Sequence, residues 1–168
     1  MANYMKYPFN PTRCNYTSPL GPMVLAAHAQ YLVGVWFVGQ QHQPDWALWP
    51  TDSSHPVLMQ AVQQLDAYFA GTLSQFDLPL DLTNGTAFQQ SVWRALCGIE
   101  SGQTVSYGNI SQRIGKPKAV RAVGSAIGRN PLGIVVPCHR VIGANGAITG
   151  YAGGLDKKIA LLQLESNF

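Results

Sequence analysis

The stretch Gly133–Gly143, GIVVPCHRVIG, constrains this chain more than any other. Ile134, Val135 and Val136 form a β-branched apolar run that reads as a short buried strand. Pro137 ends it, because proline has no N–H to offer a ladder. The thiol of Cys138 therefore falls where a buried strand breaks into a turn, with His139 and the permanent charge of Arg140 directly after it. A cysteine beside an imidazole and a cation is a nucleophile whose pKa drops below the ~8.5 of a free thiol. The competing reading is packing, since an isolated cysteine behaves as a small hydrophobe and an isolated histidine is commonly satisfied within a fold. The rest of the chain decides between them.

Charge divides the 168 residues in two. Residues 1–82 carry Lys6 and Arg13 against five aspartates, a net −3, whereas residues 83–168 carry nine Lys and Arg against Glu100, Asp156 and Glu165, a net +6. A basic half beside an acidic one points to a polyanionic partner for the former. No apolar run is long enough to span a membrane. No basic-then-apolar leader opens the chain, so a cytoplasmic location is expected. Three cysteines without framework spacing argue for a reducing compartment and against a disulfide scaffold. No C-x-x-C or H-x-x-x-H pair occurs, so a structural zinc site is not expected from spacing; no metal and no cofactor are expected.

Residues 1–82 read as an α/β scaffold with little chemistry. Ser18-Pro19-Leu20-Gly21 is a turn between the extended runs Arg13–Thr17 and Met23–His28, and Tyr31–Val38 adds a third strand, together an antiparallel meander. Residues 39–54 are a loop. Val57, Ala61, Val62, Leu65 and Phe69 recur at helical spacing over Pro56–Phe69, with Gly71 as the C-terminal stop. Phe76–Leu82 reads as one more strand. His28, His42, His55 and Cys14 have no ligand-like spacing and are expected to be structural or surface residues.

Residues 83–168 carry the chemistry. Thr86 caps a helix from Ala87 to about Ile99 that turns Phe88, Val92, Leu96 and Cys97 inward, with Trp93 as packing. Ser106 caps a short helix holding Ile110 and Ile114, and Lys116-Pro117 turns the chain into a second one with Pro117 at its first position. In that helix Val120, Val123 and Ile127 form the inward stripe, while Lys118, Arg121 and Ser125 lie opposite. Ala119, Ala122, Gly124, Ala126 and Gly128 keep it slim enough for close backbone approach. Two short helices joined tightly, the second slim and basic, form a helix-turn-helix candidate for DNA, against the blander reading of a plain αα-hairpin. Asn130-Pro131 ends the second helix, so whatever it grips lies close to Cys138, and chemistry on a base there requires flipping that base out of the stack. In the last helix Lys158, Leu161, Leu162 and Glu165 share a face. A buried carboxylate there needs a partner, and His139 is the candidate, because a carboxylate on one ring nitrogen makes the other a better base.

These residues resemble the O6-alkylguanine-DNA alkyltransferases, also called methylated-DNA–protein-cysteine methyltransferases. The resemblance runs through Gly85-Thr86-Ala87-Phe88-Gln89, Ser106-Tyr107-Gly108, Arg121-Ala122-Val123-Gly124, Asn130-Pro131, Pro137-Cys138-His139-Arg140-Val141, Thr149-Gly150-Tyr151 and Gly153-Gly154 to Lys158 and Glu165. Residues 1–82 match weakly, chiefly at Ser18–Gly21. The resemblance implies a ribonuclease H-like α/β domain over 1–82 and a mostly helical domain over 83–168 with a winged-helix-like helix-turn-helix. It implies single-turnover repair, in which an alkyl group passes irreversibly from guanine O6 in double-stranded DNA, with O4-alkylthymine left open, to Cys138. His139 would activate the thiol through a water and Glu165 would orient His139. Tyr107 would protonate the departing base. Arg121 would fill the space left by the flipped nucleotide, with Lys118, Ala119, Gly124 and Ser125 as the DNA-facing surface of its helix. Val141, Tyr151 and Ala152 would form the base pocket, with Asn130 tying the helix to the active-site strand. Cooperative self-association on DNA is a further expectation of this kind. The chain departs from the family at Ala152, where several relatives carry a hydroxyl residue, at Val120, where alanine is common, and at Glu100, where proline is frequent.

Two other classes stay open at this point. A Cys-His-Glu hydrolase would use the same three residues with turnover and would not need Arg121 or Tyr107. A non-catalytic DNA-binding protein would use the basic helix and carry Cys138 as packing.

Overall fold

The computed structural model describes residues 6–168. Three strands, β1 (Thr12–Ser18), β2 (Gly21–His28) and β3 (Tyr31–Phe37), form the antiparallel meander in the order β1-β2-β3. The Ser18 hydroxyl tightens the first turn, donating to the Gly21 carbonyl at 2.7 Å and accepting from Leu20 N at 3.1 Å. Residues of β2 and β3 are buried on both faces, which is why these strands read as continuous apolar runs rather than alternating ones. One face meets α1 (Pro56–Phe69), and the other carries a small aromatic cluster of Trp36 and Trp49 with Tyr7, Phe9 and Trp46. Gly34 is required where it stands, because a Cβ there would lie 1.8 Å from the Trp36 ring.

The helices of the second half are α2 (Ala87–Leu96), α3 (Tyr107–Arg113), α4 (Val120–Gly128) and α5 (Leu155–Glu165), with a two-residue parallel ladder between β4 (Val105–Ser106) and β5 (Val141–Ile142). Both expected caps form full capping boxes, Thr86 with Gln89 and Ser106 with Asn109. Trp93 is fully buried and donates its indole N–H to the Ala126 carbonyl at 2.8 Å, locking α2 to α4. A single apolar core runs from Met23 and Leu25 on the sheet through Leu65 and Leu96 to Val123 and Leu161, so the two halves share one interior.

Several expectations are corrected. Ile134–Val136 is a tight turn, not a strand: Ile134 takes φ +69°, Val136 N donates to the Leu132 carbonyl at 2.8 Å, and only Leu132 bridges to Val35 on the edge of β3. Phe76–Leu82 is no strand either. Pro79 has no N–H to give, so contact with β3 reduces to the single bridge between Leu32 and Leu80. The Leu80 and Leu132 bridges together cover the β3 edge, which would otherwise be open to pairing. Helix α2 ends at Leu96, leaving Cys97 exposed. Helix α4 starts at Val120 rather than Pro117, because residues 116–119 form a turn closed by Ala119 N on the Lys116 carbonyl at 2.9 Å. Val120 is 41% exposed in consequence, and the buried stripe is Val123, Ala126 and Ile127. Among the four polar candidates of the first half, Cys14 is buried, His28 stacks on Phe9 at 3.7 Å, His42 is exposed, and His55 Nδ1 caps α1 by accepting from Val57 N.

Replacing Thr86 with Ala removes one arm of the α2 capping box and is expected to cost about 1 kcal/mol. Urea unfolding should show a lower midpoint at an unchanged slope.

Candidate active site

The turn at Ile134 aims the chain into the site. Asn130, buried at the end of α4, donates its amide to the Val136 carbonyl at 2.8 Å and accepts from Leu132 N at 3.0 Å, clamping both ends of the turn. Pro137 then leads into a 3-10 helix, Cys138–Arg140, whose three side chains are all buried. Cys138 is 7% exposed and lies in a cleft of about 130 Å³ walled by Tyr107, Gly124, Ile127, Tyr151 and Ala152, with Gln41 of the first half at its margin. Gln41 N donates to the Ala152 carbonyl at 2.9 Å, tying the 39–54 loop to this wall. Tyr107 donates its phenol to the Thr149 carbonyl at 3.1 Å.

Behind the thiol sits a buried charge cluster. His139 Nε2 donates to Glu165 Oε1 at 2.6 Å, the direction that an ionised, acceptor-only carboxylate requires. The other ring nitrogen, Nδ1, is buried without a protein partner and holds the free lone pair. Arg140 grips the same carboxylate at both oxygens, Nε to Oε2 and Nη2 to Oε1, each at 2.8 Å, and sends Nη1 to the Ile99 carbonyl. Tyr68 of α1 adds its phenol to Oε1 at 2.8 Å. Lys158 is also buried, donating to the carbonyls of Val141, Thr149 and Gly150 at 2.6, 2.8 and 3.1 Å. It thereby pins β5 to the loop that leads to Tyr151.

These contacts set the protonation states. Burial alone would raise the Glu165 pKa, but hydrogen bonds from His139 and Arg140 and their charges hold it well below its ordinary 4.5. Burial lowers the His139 pKa against the opposing pull of Glu165, keeping the imidazole neutral and able to accept a proton. Burial likewise lowers Lys158 to about 8, with Cys138 acting the other way.

The expected permanent activation of the thiol is not found. Burial pushes the Cys138 pKa up, outweighing the lowering effects of the Asn130 amide and the Lys158 charge. The guanidinium expected beside the thiol is committed to Glu165 instead. The resting cysteine is therefore a protonated thiol, with a neutral imidazole as the next residue.

Of the residues singled out from sequence, Cys138, Tyr107, Gly124, Tyr151 and Ala152 meet at the cleft, and His139 and Glu165 meet behind it. Val141 is fully buried in β5 with its carbonyl on Lys158. Lys118, Arg121 and Ser125 are exposed and outside the cleft lining, and Ala119 forms the start of α4. Sequence reasoning missed Tyr68, Gln41 and the grip of Lys158. Tyr68 had one available signal, its place three residues after Leu65 on the buried side of α1. Among the described residues no three His, Cys, Asp or Glu side chains converge as a metal site would require.

Family models described as the ribonuclease-like domain and the DNA binding domain of 6-O-methylguanine DNA methyltransferase match residues 14–82 and 87–167. A methylated-DNA–protein-cysteine methyltransferase of Mycobacterium leprae is 50% identical over 150 residues, 89% of each chain. One from Methanosarcina acetivorans is 49% identical over 156 residues, 90% of this chain and 96% of its own. The crystal structure of Mycobacterium tuberculosis OGT in complex with DNA superposes with a TM-score of 0.86 at 49% identity, covering 93% of both chains. The chain belongs to the 6-O-methylguanine DNA methyltransferase family, with a ribonuclease-like N-terminal domain and a DNA-binding C-terminal domain.

Two measurements follow. A carboxylate with a depressed native pKa adds stability above its unfolded pKa and loses it as pH falls. Stability should therefore decline below about pH 4.5, and Glu165→Gln should be less stable at neutral pH with a shallower acid decline, read from urea midpoints across pH. In the free protein an alkylating thiol reagent should modify exposed Cys97 before buried Cys138, checked by peptide mass after timed labelling.

Proposed function

We propose that this protein repairs DNA by moving the alkyl group of an O6-alkylguanine onto Cys138, each chain acting once. The observation that carries this reading is the Cys138 thiol in the lining of a small cleft, with an imidazole oriented by a buried carboxylate as the next residue. His139 Nδ1 takes the thiol proton through a bridging water, and the imidazolium formed is stabilised by Glu165. The thiolate sulfur attacks the alkyl carbon, the bond from carbon to O6 breaks, and its electron pair stays on the base. Tyr107 gives its phenolic proton to that base as it leaves. A soft sulfur nucleophile suits attack on saturated carbon, and the thioether formed has no route back to thiol, so turnover stops at one.

A cleft of about 130 Å³ admits a base only after it has left the stack, which supports base flipping. Arg121, exposed on α4, would occupy the vacated space, with Ser125 exposed on the same helix, Lys118 exposed in the turn before it, and the small residues Ala119 and Gly124 permitting close approach. Tyr151, the backbone at Ala152 and the main chain of Cys138 and Val141 frame the flipped base, and Asn130 holds α4 against the active turn. The meander backed by α1 supports a ribonuclease H-like assignment over residues 1–82. The α3–α4 pair, flanked by β4 before it and β5 after it, supports a winged-helix-like one over 83–168. No helix among the described residues is long and apolar enough to cross a membrane, and three free cysteines fit a reducing cytoplasm. Cooperative self-association along DNA belongs to the same proposal, with stepwise loading of a long duplex as its readout.

Intact-protein mass after incubation with a duplex bearing one O6-methylguanine should show one methyl adduct per chain, on the peptide holding Cys138. Cys138→Ser should abolish transfer and keep duplex binding; transfer by that variant would refute the assignment. Arg121→Ala should weaken duplex binding about tenfold. A hydrolase would leave binding indifferent to that change and would turn over esters or amides instead.

A further inference from the structure

We propose that Tyr68, on α1 of the ribonuclease-like half, is a positioning residue for the transfer step: its phenol orients the Glu165 carboxylate that orients His139. This rests on the proposed role of the His139–Glu165 pair, and it gives the first half of the chain a part in the chemistry beyond support.

The geometry separates the hydroxyl from the ring. The Tyr68 ring is fully buried and wedged among aromatics, edge-on to Phe69 at 5.2 Å and to Phe168 at 5.9 Å and tilted against Phe76 at 5.3 Å. A phenylalanine would keep every one of those contacts. Nor does Glu165 need the hydroxyl to escape an unmet charge, since Arg140 holds both of its oxygens and His139 donates to Oε1. Packing and satisfaction thus leave the phenolic proton unexplained. It points from a helix 97 positions away in sequence onto Oε1, the oxygen that receives His139.

A third donor on Oε1 does two things. It stops the carboxylate rocking about the Arg140 fork, so the imidazole plane and Nδ1 stay aimed. It also draws charge from the oxygen facing His139, which moderates how strongly Glu165 raises the basicity of the ring. Burial and the adjacent carboxylate hold the phenol protonated, so it donates at every working pH. The charged or titratable groups around this pair are Arg140 and Tyr68 on Glu165, and Glu165, Arg140, Lys158 and the neighbouring Cys138 thiol around His139, with Tyr151 also close to Glu165 and Cys138.

Removing the hydroxyl leaves more negative charge on Oε1, which raises the His139 pKa. Transfer needs a neutral imidazole, so the acidic limb of the rate profile should move to higher pH. The experiment is single-turnover transfer from an O6-methylguanine duplex by the full chain, between roughly pH 5 and 9, the range in which an imidazole changes charge. For Tyr68→Phe the expected result is a rate about tenfold lower at neutral pH with the limb displaced upward by roughly half a unit. The His139 imidazole titration followed by NMR in the absence of DNA should move the same way. Tyr16→Phe is the control, because Tyr16 donates to Asp66 of the same helix at 2.7 Å, remote from the site; it should lower stability and leave the profile unchanged. A wild-type profile in Tyr68→Phe, or a reduced plateau with limb and imidazole titration unmoved, overturns the proposal and leaves Tyr68 structural. A wild-type rate in His139→Gln would instead overturn the reading of the site on which the proposal stands.

Discussion

The Glu165 carboxylate, 1% exposed, receives four hydrogen bonds from Tyr68, His139 and Arg140, and the geometry around it holds the site together. The donors come from two segments, α1 of the ribonuclease-like half and the 3-10 helix that bears the thiol, and they meet on a carboxylate carried by α5. Taking a charge out of water is costly, and it is tolerated here because both oxygens are hydrogen-bonded and a guanidinium lies alongside. Removing a single partner from such a cluster typically costs about 3–5 kcal/mol, because the other charge is then stranded. The same ion pair that braces the interior therefore also sets the tautomer of the imidazole next to the thiol.

That arrangement explains why Arg140 does not activate the thiol directly. A cysteine that can act once is spent by any stray electrophile, and a standing thiolate would invite such losses. Burial keeps Cys138 protonated, while a neutral imidazole with a free Nδ1 stays ready behind it. In the proposed reaction, nucleophilicity arises only when a substrate fills the cleft and the proton has somewhere to go. Basicity is stored in the histidine rather than displayed on the sulfur.

Local features were legible in the sequence. The meander strands, the 56–69 helix and the N-caps Thr86 and Ser106 follow from turn chemistry, periodicity and side-chain hydrogen bonding within a few residues. The Pro-Cys-His-Arg motif marked the site, and the helical face of Lys158, Leu161 and Glu165 correctly pointed a carboxylate inward. What failed depended on distant partners. Ile134–Val136 has the composition of a strand, yet Asn130 closes it into a turn and drives Ile134 to positive φ. Arg140 is adjacent to the thiol in sequence, but its partner is 25 positions away. Tyr68 looks like one more apolar position on an amphipathic helix, and only the folded chain shows where its hydroxyl goes.

The bridge from Val35 to Leu132 and the bond from Tyr68 to Glu165 have a consequence for the order in which the molecule is made. During synthesis the ribonuclease-like half leaves the ribosome first and can form its meander and α1 from local contacts. The carboxylate that Tyr68 awaits is made 97 residues later. Until α5 arrives, His139 lacks its carboxylate partner and Arg140 its counter-ion. The buried network thus closes only when α5 docks against Tyr68 and the 3-10 helix.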